Sequence, residues 1–171
     1  GESSDAYHMS SPHPQGLGAI KAMQSALCCA NRRADQIDYI NLHGTATAVN
    51  DSVEDMAVSH LFSNQTFSSQ TMSNQSFSNQ TLCSSTKGWT GHTLGAAGGV
   101  EAVYSALCIE NKLLPVSLNT LKLDPNFKSN IIVDDNRFTI HESAKQIHTI
   151  ASNSFGFGGN NCCLIFGDNN I

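Results

Sequence analysis

Charge is scarce in this chain. Its 171 residues carry 14 acidic and 9 basic side chains, so charged residues make up 13%, about half of the roughly 25% in an average domain. No run of Lys or Arg occurs and the net charge is -5, which argues against a nucleic-acid partner. Long hydrophobic runs are also missing. The longest, Leu94 to Ile109, is interrupted by Glu101 and is too short to span a bilayer. The opening GESSDAYHMSSPHP has no charged-then-apolar signal pattern. No Cys-x-x-Cys spacing is present among Cys28, Cys29, Cys83, Cys108, Cys162 and Cys163, so no metal site is expected. Two of the cysteine pairs are adjacent and most lie in apolar runs, where a thiol acts as a small hydrophobe. That usage excludes a disulfide framework and predicts a reducing, cytoplasmic setting. What remains is a chain long enough to bury about 70% of its unfolded surface. With 40% hydrophobic residues and so few charges, much of its surface is expected to be covered by something else.

Alternating helix and strand patterns run along the sequence. Ala19, Ala22, Met23, Ala26, Leu27 and Ala30 recur at three- and four-residue steps and predict a helix over 16–32. Ile37 to His43 has the length and apolar content of a strand buried on both faces. Asp51 and Glu54 read as a capping box, with Val53, Met56, Ala57 and Leu61 forming one helical face. A short strand over 81–86 precedes Lys87, and 93–111 is the strongest helix signal. The closing segment, 149–166, reads as a hairpin turning at Gly158-Gly159-Asn160-Asn161. The order implies an α/β layered sheet.

One stretch departs from this pattern. From Ser63 to Leu82 the chain repeats as SNQTF, SSQTM, SNQSF, SNQTL. A five-residue period fits neither helix nor strand, nor any familiar long-period repeat. Polar and uncharged, 63–82 is expected to be a tandem duplication in a surface loop, carrying no chemistry.

Three segments pass from strand to polar loop, where open α/β sheets hold their sites. They are His43-Gly44-Thr45-Ala46-Thr47, then Ser84 to His92, then Asn153 to Gly159. Taken singly, each has a plain structural reading. A lone His after a strand is usually a hydrogen-bonded core residue, His92 is a poor helix cap, and Lys87 is a solvated charge. Glu101, mid-helix among Gly98, Gly99, Val100, Ala102 and Val103, must be either exposed or paired with a cation. The glycines after Phe155 precede an apolar strand where a phosphate loop would need a helix.

Together these segments resemble the β-ketoacyl-acyl-carrier-protein synthases, elongating condensing enzymes of the thiolase superfamily. SSDAYHMSSPHP, the NLHGTAT-ND run, CSSTKGWTGHTLGAAGGVEA, LLPVSLN and SNSFGFGGNN follow in the family's order across almost the whole chain. GWTGHTLGAAG and its Cys-Ser-Ser-Thr-Lys lead look more like bacterial synthases of secondary pathways, such as aryl polyene formation. The resemblance implies a thiolase-like half, a mixed sheet packed with helices, spanning 1–171 as a C-terminal domain incomplete at its N-terminus, its first strand missing. It implies a decarboxylative Claisen condensation of malonyl-acyl-carrier protein with an acyl thioester. His43 and His92 match the two catalytic histidines, Lys87 the active-site lysine and Glu101 its carboxylate partner. Phe157 matches the gating phenylalanine, whose backbone N–H helps form an oxyanion hole. Phe155, Gly156 and Gly158 flank it. Thr45 and Thr47 match hydroxyls that hold the phosphopantetheine arm, and Ser11 lies in the region lining the same tunnel. The enzyme itself needs no cofactor, since phosphopantetheine belongs to the acyl carrier protein.

The family is more than twice as long, and its nucleophilic cysteine lies in the half that these motifs do not cover. None of the six cysteines here matches that elbow-held thiol. The chain alone is therefore expected not to condense acyl groups. A homodimer, or a pairing with a complete synthase or the missing half, would expose less apolar surface. Two further expectations stay open at this point: a non-catalytic partner subunit, and a truncated inactive remnant.

Overall fold

In a computed structural model, the described residues are 1–62, 81–133, 147–168 and the backbone of 141–142. The elements run β1 (Glu2–Ser4), α1 (Leu17–Cys29), β2 (Tyr39–Asn41), α2 (Ala48–Phe62), β3 (Leu82–Ser84), α3 (Lys87–Thr90), α4 (Ala97–Asn111), β4 (Leu113–Leu114), β5 (Asn130–Ile131), β6 (His141–Glu142), β7 (Thr149–Gly156) and β8 (Asn160–Gly167). Six strands form one sheet in the order β1-β8-β7-β2-β3-β5, and β4 pairs with β6 apart from it. β2, β3, β5 and β7 are parallel, while β8 returns antiparallel to β7 and β1 antiparallel to β8. This is the mixed sheet packed with helices that the motif order implied.

The two-residue period of the strands divides the core into two layers. Ile40, Ala151 and Cys83 face α1 and α2, with Ala22, Met23, Ala26, Ala57 and Val58 packed over them. Tyr39 and Ile150 face the other way, against Cys108 and Ile109 of α4. Residues 37 and 39–43 are all buried, as a doubly covered strand requires. By the same alternation Asn41 and His43 belong to the α4 side of the sheet.

Local details differ from the sequence reading in four places. Asp51 and Glu54 do not form a capping box. α2 begins at Ala48, the Asp51 N–H donates to the Thr47 carbonyl, and Glu54 is buried nearly two turns inside the helix. Its carboxylate turns towards the preceding strand end instead of the helix terminus. The helix expected from Thr93 opens as a 3₁₀ turn, Leu94–Ala96, before α4 begins. The hairpin turns one step earlier, over Phe157–Gly159, and Asn160 and Asn161 already belong to β8. Residues Glu2–Ser4, to which no element was assigned, form the sheet's short edge strand. Of the expected repeat loop, 63–80 lies outside the described residues, whereas Leu82 is the first residue of β3. No helix among the described residues is long and apolar enough to cross a membrane.

Candidate active site

Three parallel strands end at one edge of the core, and each delivers a side chain there. His43 follows β2, Lys87 opens α3 just after β3, and Phe155 lies near the end of β7. Glu101 reaches the same point from the inner face of α4. Gly44 makes this convergence possible. Its φ is +39°, and a Cβ there would lie 2.6 Å from the Ser85 Cβ, closer than any side chain tolerates. The β2 and β3 loops therefore meet, with the Ser85 hydroxyl donating to the Gly44 carbonyl at 2.8 Å.

The Lys87 ammonium forms a buried ion pair with Glu101 Oε1, both side chains being less than a tenth exposed. This answers how a carboxylate is tolerated mid-helix. Burial still raises the Glu101 pKa, with the hydrogen bond and charge of Lys87 pulling the other way. Glu101 Oε2 has no hydrogen-bond partner among the described residues. Lys87 Nζ also lies 3.4 Å from His43 Nδ1. The His43 and His92 rings meet edge to face with centroids 5.6 Å apart, and the Phe155 ring lies 6.0 Å from His43.

These contacts fix the tautomers. An ammonium has only donors, so His43 Nδ1 accepts and its proton resides on Nε2. His92 Nδ1 accepts the Leu94 N–H at 3.2 Å, which likewise leaves Nε2–H on that ring. Burial above all, then the charge of Lys87 and the proximity of the His92 ring, bring the His43 pKa down to about 3. It is a neutral imidazole with one N–H to offer.

Glu54 supports this arrangement, although the sequence reading gave it only a capping role. Its two oxygens accept the backbone N–H groups of His43 and Gly44, each at 2.8 Å, and Oε1 also accepts Asn153 Nδ2 at 3.2 Å. Burial pushes its pKa up to about 7 in spite of those donors. An acid 13 residues beyond the end of β2 at Asn41 carries no periodic signal for this role. Only the nearby polar residues His43 and Asn153, both destined for the core, could have hinted at it. Glu54→Gln should set an amide NH₂ against a backbone N–H and cost about 1–3 kcal/mol, read from denaturant midpoints. A buried acid with a raised pKa loses stability as pH climbs from its ordinary 4.5 towards 7. Because glutamine has no such dependence, the penalty is expected to shrink over that interval.

The remaining expected site residues lie further out. The Thr45 and Thr47 hydroxyls bond each other at 2.9 Å where the loop meets solvent. Ser11 is half-buried between β1 and α1, with no hydrogen bond to the histidine pair among the described residues. Phe157 is not brought to His43. It stands 82% exposed at the hairpin tip, and the aromatic ring beside the histidine is Phe155. Gly156 and Gly158 flank that tip, and the Gly158 N–H donates to the Met9 carbonyl at 2.7 Å. The buried thiols lie elsewhere in the core. Burial raises all three, Cys108 to about 11 and Cys163 to about 12.

Similar proteins share both the fold and the sequence. The model for the β-ketoacyl synthase C-terminal domain matches residues 1–121. A mitochondrial 3-oxoacyl-[acyl-carrier-protein] synthase of Arabidopsis thaliana is 42% identical over 97% of this chain and 33% of its own length. A 3-oxoacyl-[acyl-carrier-protein] synthase 2 of Staphylococcus aureus is 34% identical over 97% of this chain and 37% of its own. Among solved structures, a ketosynthase in complex with its chain length factor, from Xenorhabdus doucetiae, superposes with a TM-score of 0.77 at 39% identity, covering 98% of this chain and 37% of that one. The chain thus spans about a third of the length of these relatives. It belongs to the β-ketoacyl synthase family and corresponds to its C-terminal domain.

Proposed function

We propose that this chain supplies the two-histidine side of a ketosynthase site that elongates acyl chains by decarboxylative condensation. The observation that carries the reading is the pair of imidazoles 5.6 Å apart, each with Nδ1 occupied and Nε2–H free to donate. When a malonyl thioester loses carbon dioxide, the electron pair of the broken C–C bond moves onto the thioester carbonyl oxygen. Two neutral N–H donors held in advance stabilise that enolate, and one such donor is worth about 10²–10³ in rate. The enolate carbon then attacks an acyl thioester, and the displaced thiol leaves. Lys87 orients His43, and burial above all, with the Lys87 charge beside it, keeps that ring neutral.

The acyl group is proposed to ride on a cysteine outside this chain, because the buried thiols here are held protonated by burial. The malonyl group would arrive on the phosphopantetheine arm of an acyl carrier protein. Thr45 and Thr47 would line that arm, and Ser11 and the Phe157 turn would form its outer wall. No cofactor of the chain's own is required. All six cysteines are unpaired, which fits a reducing compartment such as the cytoplasm.

The test is a chimaera in which this chain replaces the matching third of the Arabidopsis relative. Supplied with acyl- and malonyl-carrier protein, it should release carbon dioxide and form a 3-oxoacyl product, whereas this chain alone should form none. A chimaera that unfolds cooperatively yet neither decarboxylates nor elongates would overturn the reading.

A further inference from the structure

The Leu-Leu-Pro-Val-Ser-Leu-Asn stretch, 113–119, contributes no side chain to the histidine site, yet it is laced to the turn that carries Lys87. The Ser84 hydroxyl donates to the Pro115 carbonyl, and the Ser85 N–H donates to the Ser117 hydroxyl at 3.0 Å. Gly88 rests against the Leu118 carbonyl with no room for a Cβ. The last link is Trp89, whose indole N–H donates to the carbonyl of the buried Val116 at 2.9 Å.

α3 has only four residues, Lys87–Thr90, and a single helical turn does not hold its own shape. Its direction is therefore set by what it is tied to. At 100° per residue, side chains two apart leave a helical turn on opposite sides. The Lys87 side chain is buried among His43 and Glu101, and Trp89 reaches away from it to Val116. Lys87 has a demanding task, since its ammonium serves Glu101 Oε1 and lies 3.4 Å from His43 Nδ1 at the same time. A flexible four-carbon stem does not fix that aim. The position of the backbone beneath it does.

We propose that Trp89 is a positioning residue: by gripping the Val116 carbonyl it fixes the α3 turn where Lys87 can hold His43. The proposal takes from the functional reading only that His43 is the group that meets substrate.

Two variants separate the indole N–H from the ring. Trp89→Phe keeps an aromatic ring without the donor, and Trp89→Gln keeps an N–H at similar reach without the ring. Trp89 is 41% exposed, so both are expected to fold. In the Arabidopsis chimaera, Trp89→Phe should lower kcat for malonyl decarboxylation about 10-fold, within the cost of a small misplacement, and leave KM within about twofold. Trp89→Gln should recover most of that loss. In a chimaera that also carries Lys87→Met and Glu101→Leu, Trp89→Phe should be silent, because the ammonium it aims is gone. A merely structural role would lower the rate equally in both backgrounds. Proton NMR of the His43 ring in this chain gives a reading free of catalysis. The Lys87 charge, second to burial, holds the His43 pKa down, so Trp89→Phe should raise the pH at which the ring titrates by roughly 1 pH unit. An unmoved titration would overturn the proposal, as would equal losses for Phe and Gln or with and without Lys87. A shifted titration in this chain beside a folded chimaera that never decarboxylates would sink the functional reading and leave the positioning role standing.

Discussion

Replacing Lys87 with methionine is expected to destabilise the fold by about 3–5 kcal/mol, the usual cost of leaving one member of a buried ion pair alone. Lys87 and Glu101 are both almost fully enclosed, so water cannot take the ammonium's place. Glu101 Oε2 already has no partner among the described residues, and losing Lys87 would remove the cation from Oε1. The expected relief is protonation. Burial already raises the Glu101 pKa, and without Lys87 only the Ser154 hydroxyl opposes that push. An acid with a raised folded-state pKa gives up stability as pH rises through the interval between its unfolded and folded values. The deficit of Lys87→Met should therefore deepen with rising pH and ease in acid. Lys87→Met with Glu101→Leu should recover most of the loss, because a pair replaced by packed apolar groups is often neutral or better. Urea midpoints at several pH values check all three statements, and a pH-independent deficit would show that Glu101 is not buried as an ion.

The layers of this fold were legible because they depend on period. The buried run from Ile37 to His43 and the helical steps of α1 were written as hydrophobic spacing, and both appear where spacing put them. The convergence of His43, Lys87 and Glu101 was legible only through the order of motifs, since nothing in local pattern joins residues 44 and 58 positions apart. Two features were not legible at all. Glu54 presents at sequence level as an N-terminal helix acid, and its reach back to the His43 and Gly44 amides depends on where α2 crosses the end of β2. Phe155 and Phe157 are chemically alike and two residues apart, so they share a side of an extended strand. The turn that starts at Phe157 breaks that register and sends its ring to solvent.

The largest functional effect is expected at His43, and the choice of replacement decides what the residue does. An imidazole with a pKa near 3 is a poor base at neutral pH and a competent hydrogen-bond donor. In the chimaera, His43→Ala should lower malonyl decarboxylation by about 10²–10³, the value of one preorganised donor. His43→Gln keeps a neutral N–H on a side chain of similar reach and should recover a large share of that loss. A residue acting as a base would make Gln as inactive as Ala. The double change with His92→Ala should cost less than the product of the single losses, because two donors aimed at one oxygen act as a unit. Stability gives an independent check on the same group. A histidine whose folded-state pKa is depressed contributes stability above its unfolded value near 6.5 and loses it as pH falls, since the unfolded ring takes up a proton that the folded ring refuses. His43→Gln should therefore narrow the gap in stability between pH 7 and pH 4. Equal inactivity of the Gln and Ala variants, with no change in that gap, would remove both the donor role and the neutral imidazole on which it rests.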